Sequence, residues 1–73
     1  MNIQQIKERT KKTNPYFFSE DTLRFFGQSI SDFTVTKQDD KYLIEAPSYK
    51  NGELMGHTRR LFNPETNELE MTD

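Results

Sequence analysis

The segment HTRR at residues 57–60 holds the chain's single histidine and two adjacent arginines. Histidine titrates near neutral pH without perturbation, so acid–base chemistry would have to start from His57. The pattern gives it no partner. The chain has no cysteine to act as nucleophile or zinc ligand. Ser19, Ser29, Ser31 and Ser48 lack a G-x-S-x-G setting. Gly27, Gly52 and Gly56 form neither a P-loop nor a dinucleotide-binding motif. Asp39-Asp40 is an acidic pair, but aspartates between two strands serve turn geometry. The residues point away from an enzyme, and they imply no cofactor and no metal site.

The arginines offer binding chemistry instead. Arg59 and Arg60 are neighbours on an expected strand, so they point to opposite faces. One of them then shares a face with Leu61 or Phe62 and can lay its stem, or its guanidinium, on an aromatic ring. The plain reading is a cross-strand pair with Glu45 or a glutamate of the last strand. The functional reading is an anchor for a phosphate or carboxylate. Arg24 adds a cation on the exposed flank of an expected helix. Arg24, Phe25, Tyr49, Arg59 and Arg60 are therefore the candidate residues for binding a protein partner. Lys7, Arg9, Lys11, Lys12 and Arg24 are the alternative set. They would meet a phosphate backbone, with Tyr16 or Tyr49 stacking on bases.

Charge bears on that choice. The net charge is −2, which disfavours a broad nucleic-acid footprint. Lys7, Arg9, Lys11 and Lys12, against Glu8 alone, give the first dozen residues +3. Glu65, Glu68, Glu70 and Asp73 give the last eleven −4. Such runs are usually solvated faces, and attraction between the two ends is the other reading.

Seventy-three residues make one small domain, 1–73. Apolar residues are 32% of the chain and charged residues 30%, which is lean for a core. Six Phe and three Tyr compensate, because each aromatic buries roughly 150–250 Å². No apolar run approaches the ~18 residues of a membrane span. The N-terminus has no apolar signal region, so the expected location is the cytoplasm.

These residues must be positioned by few elements. Residues 2–12 read as an amphipathic helix with Ile3 and Ile6 on one face, and residues 1–13 form either a docked helix or a flexible arm. Asn14-Pro15 ends it. Ser19 is a good N-cap, followed by Glu20 and Asp21 at the positive end of the helix dipole. Phe18 and Leu23 are spaced for a hydrophobic staple. Gly27 suits a C-terminal stop, or the helix runs on to Ile30. Leu23, Phe26 and Ile30 share one stripe, and Phe25 lies off it. Both Phe-Phe pairs are thus expected to help cover a sheet.

Residues 32–38 alternate as a strand. Residues 41–49 put Tyr42, Ile44 and Ala46 on one face. Pro47 cannot donate to a ladder and marks an edge, bulge or strand end. Asn51-Gly52 is a strong hairpin signal. Residues 53–62 return with a bulge at Gly56. NPETN turns the chain, and ELEMT closes with Leu69 and Met71 on one face. The expectation is α+β: one or two N-terminal helices packed on a four-stranded antiparallel β-meander, in sequence order. The first strand is the better open edge, because the last is short and glutamate-rich.

Phe17, Phe18, Ser19, Thr22, Leu23, Arg24, Phe25, Phe26 and Gly27 resemble a motif of small uncharacterised bacteriophage and mobile-element proteins, F-F-S-x-x-T-[L/M]-R-F-F-G. Arg60 and Phe62 extend the likeness, which covers residues 16–62 and leaves out the basic N-terminus. The resemblance implies no assigned activity. It implies a small accessory or regulatory protein acting on host machinery or on its own genome. The expected function is binding to a host or phage protein, by a monomer or a homodimer with no membrane association. The alternative is a nucleic-acid-binding module.

Overall fold

The computed structural model describes residues 1–72; Asp73, part of the acidic C-terminal run, lies outside the described residues. The elements follow as α1 (Ile3–Thr10), α2 (Glu20–Phe25), a 3-10 turn (Ile30–Asp32), β1 (Thr34–Gln38), β2 (Lys41–Lys50), β3 (Glu53–Asn63) and β4 (Glu68–Met71). The four strands form one antiparallel sheet in the order β1-β2-β3-β4, with the helices on one face. This is the expected α+β meander, with both helices present.

Each helix begins where a side chain satisfies free amides. Asn2 Oδ1 accepts from the Gln5 amide at 2.9 Å, and Gln5 Oε1 accepts from the Asn2 amide at 2.8 Å. Ser19 Oγ accepts from the Thr22 amide at 3.2 Å. The N-terminal segment is docked. Ile6 and Thr10 are buried. The Arg9 guanidinium donates to the Pro64 carbonyl, and the Thr13 hydroxyl donates to the Asn67 carbonyl. Those contacts join α1 to the β3–β4 turn through backbone carbonyls.

The core is Ile6, Phe18, Phe33, Ile44, Ala46 and Phe62. Phe17, Phe18 and Phe33 meet edge to face, with centroids 4.6, 5.3 and 6.0 Å apart. Directly opposite residues share a sheet face. Tyr42, Phe62 and Leu69 line up across three strands under the helices, and so do Ile44, Arg60 and Met71. The second Phe-Phe pair departs from expectation. Helix α2 stops at Phe25, leaving Phe25 79% and Phe26 41% exposed. A Schellman turn causes this. Gly27 sits at φ +63°, its amide donates to the Arg24 carbonyl at 3.1 Å, and the Gln28 amide donates to Leu23 at 2.7 Å. The chain turns back before Phe26 reaches the core, and Ile30 falls in the separate 3-10 turn.

The opposite face of the sheet is uncovered and carries ion pairs. Arg59 Nε meets Glu45 Oε2 at 3.1 Å, and Lys41 Nζ reaches Glu70 Oε2 at 2.7 Å, from β2 across β3 to β4. The Lys41–Glu70 hydrogen bond raises the lysine pKa above its ordinary 10.5; desolvation opposes this, and the charges of Glu70 and Asp40 add to the rise. A raised folded-state value gives stability that is present below the ordinary value and lost as pH rises through the folded one. Lys41→Met should therefore be less stable than the parent at neutral pH, with the gap closing on the alkaline side of 10.5. Urea denaturation across that range reads it, and a gap that stays constant would remove the charge contribution.

The two Phe-Phe pairs separate by mutation. Phe18→Ala should lose about 3–5 kcal/mol. Phe25→Ala should stay within about 0.5 kcal/mol of the parent. Equal losses in urea denaturation would contradict the division.

Candidate functional site

The site forms where β2 changes neighbour. Thr34 Oγ1 donates to the Glu45 carbonyl at 3.5 Å, so Glu45 turns its backbone toward β1. Alternation sends Pro47 and Tyr49 the same way. Strand β1 pairs with β2 only as far as Glu45. Pro47, which has no N–H, therefore sits past the end of β1, where no donor is required. At Tyr49 the α2 loop takes over: the Tyr49 amide donates to the Phe26 carbonyl at 2.8 Å.

This loop walls a hollow of about 440 Å³ on the helix side of the sheet, lined by Phe17, Phe26, Met55, Thr58 and Arg60 among others. Its floor is polar. Gln28 Nε2 lies 3.0 Å from both Ser48 Oγ and Thr58 Oγ1, and these hydroxyls are 3.0 Å from each other. Those groups satisfy one another. Arg60 is different: its Cζ lies 5.8 Å from the Phe17 ring centroid, and its Nη1 donates to the Arg59 carbonyl at 2.7 Å. Among the described residues no carboxylate pairs with it.

The rim is apolar. Phe25 stacks edge to face on Phe26 at 5.1 Å. Tyr49 stands opposite Leu54 on the hairpin. The register then steps from Tyr49↔Leu54 to Ser48↔Gly56, so Met55 bulges out beside the expected Gly56 and is 63% exposed. Phe25, Phe26, Tyr49, Leu54 and Met55 are all exposed at this end of the molecule.

The residues expected to bind a partner divide. Arg60 lines the hollow and Phe25 stacks on the lining Phe26, whereas Arg59, in its pair with Glu45, and Tyr49, two alternations further along β2, face the open side of the sheet. Arg24 lies elsewhere, lining a second hollow with Lys7, Glu20 and Leu23. The residues of the nucleic-acid set divide as well. Lys7 and Arg24 meet there, but Lys11 pairs with Glu8 at 3.1 Å. Arg9 lies over the Phe62 ring at 5.7 Å and bonds Pro64, so it serves the fold. Lys12 is exposed beyond α1.

Sequence reasoning missed Phe26, Leu54, Met55, Gln28, Ser48 and Thr58. Two signals were present. The Asn51-Gly52 hairpin already sets residues 53–55 against Tyr49. A bulge at Gly56 already implies one extra, outward residue beside it.

A family model described as "Family of unknown function (DUF7447)" matches residues 2–72. The chain belongs to this family. The DUF7447 match takes in α1, so it reaches further toward the N-terminus than the stretch 16–62 of the motif resemblance. No curated protein and no solved structure matches significantly. No helix among the described residues of this DUF7447 chain is long and apolar enough to cross a membrane.

Gly27 is the close point of the site. A Cβ there would lie 2.9 Å from the Tyr49 carbonyl oxygen and 3.0 Å from Tyr49 Cβ. Gly27→Ala should cost about 1–2 kcal/mol for the left-handed backbone alone, and the contact adds to it. A urea midpoint equal to the parent's would contradict the constraint.

Proposed function

We propose that this protein is a small, non-enzymatic accessory protein that binds a host or phage protein through the hollow between α2 and the β2–β3 hairpin. The observation that carries this is exposed Phe26 and Met55 in the lining of the hollow, with exposed Phe25 stacked on Phe26, beside Arg60, which has no acidic partner among the described residues. Contiguous exposed apolar surface marks interaction sites, and aromatic residues with arginine dominate the energetics of interfaces. The polar floor is closed on itself through Gln28, Ser48 and Thr58, which suits a supporting role better than a reactive one. The phage or mobile-element setting is taken from the resemblance at residues 17–27 alone, and the cytoplasmic setting from the N-terminal sequence without an apolar signal region.

A nucleic-acid-binding reading has one observation in its favour, the meeting of Lys7 and Arg24 at the second hollow. Glu20 lines the same hollow and reduces its positive potential.

The test is capture from a bacterial host lysate by the tagged protein, with and without nuclease. A discrete protein should survive nuclease and be lost from a Phe25→Ser, Met55→Ser double variant whose circular dichroism matches the parent. Material that vanishes with nuclease, and that reversing the charge of Lys7 and Arg24 abolishes, would replace the protein partner with nucleic acid.

A further inference from the structure

Strand β4 is much shorter than its neighbour. It pairs with β3 only from Arg60 to Asn63, while β3 begins at Glu53. Beyond Arg60 no strand among the described residues lies beside the outer edge of β3. The Thr72 hydroxyl donates to the Arg59 carbonyl at 3.1 Å, so Arg59 turns its backbone toward the β4 side. Two-residue alternation sends the amide and carbonyl of His57 the same way, into an edge whose side chains Met55 and His57 are exposed. Such an edge is a template for another chain unless it is blunted by proline, lysine or a bulge, and the bulge at Met55 confines the regular part of this edge to the residues from Gly56 on. Residues 53–59 contain neither proline nor lysine.

The edges of β1 and β4 are also free. The edge at 53–58 differs in bordering the hollow. On the helix-side face, Gly56, Thr58 and Arg60 line it from β3, and Phe17 and Phe26 stand across from them. A strand laid along this edge would drop alternate side chains into that space.

We infer that an extended acidic segment of a partner protein adds to the sheet at this edge of β3. Its backbone pairs with His57. One side chain on the hollow side is apolar and sits against Phe26 and Met55. Another, at an alternating position, is a carboxylate that meets Arg60. Charge complementarity selects this occupant, because Arg60 is half-buried with its ring stack in place and no carboxylate among the described residues. Main-chain bonds supply affinity in such additions, and the alternating side chains supply specificity. The inference rests on the protein-binding reading and specifies its geometry.

The test is selection of a displayed random-peptide library against the full chain, followed by fluorescence polarisation with a synthesised winner. The expected winners carry an acidic residue at an alternating position from an apolar one. Their binding should fall about tenfold or more in Arg60→Gln. It should also fall in His57→Pro, which removes one edge donor. N-methylation of the winner's own alternate amides gives the same readout without altering the protein, in case His57→Pro fails to fold. Amide resonances of residues 55–59 should shift on binding. A winner that tolerates N-methylation at every position and leaves those resonances unmoved overturns strand addition, while protein binding stands. A selection with no winner also overturns it, and the lysate capture then judges the binding function separately. Self-association that His57→Pro dissolves would put a second copy in place of the peptide and overturn the inference.

Discussion

The backbone bond from Tyr49 to Phe26 holds the α2 loop against the sheet, and Gly27 makes the approach geometrically possible. The loop replaces β1 as the neighbour of β2, so the strand keeps its pairing past a proline. The same turn ends α2 early and throws the second aromatic pair outward. It also brings Gln28 over Ser48 and Thr58. Remove that contact and the hollow loses a wall, its floor loses a tie, and Phe25 loses its fixed place on the rim. Structure and candidate function thus share one constraint.

Neighbouring residues met different fates for physical reasons. Arg59 and Arg60 differ by one position and therefore by one sheet face. On the open face Arg59 finds Glu45, and both stay solvated, so the pair contributes little to stability. On the helix side Arg60 finds an aromatic ring and a carbonyl. Arg9 resembles Arg60 in lying over a ring and donating to a carbonyl, but its carbonyl belongs to Pro64, so it ties α1 to the β3–β4 turn. The basic face that the N-terminal sequence suggests is diluted in this way, one cation at a time.

Much of the architecture was legible because local rules agreed with the global fold. Ser19 as cap, Gly27 as stop, Asn51-Gly52 as hairpin and alternation through Tyr42, Ile44 and Ala46 all act over a few residues. The site was less legible. Phe26 lies on the right helical stripe for burial, and only the turn one residue later decides otherwise. Pro47 reads as an edge, bulge or strand end, and it takes the edge: it lies within β2 where β1 stops short beside it. Periodicity describes an element taken alone. Where a neighbouring strand or helix ends is set by tertiary packing, and the hollow is made of such endings.

The meander has a kinetic side. Each strand pair closes over a short turn, so little chain entropy is lost in bringing its members together. Helix α1 is the exception. The bonds from its Arg9 to Pro64 and from Thr13, just beyond it, to Asn67 span sequence separations of 55 and 54. Closure over that length is favourable only once the β3–β4 turn already exists to receive it. The N-terminal helix is therefore a clasp on a sheet whose own pairings each close over a short turn.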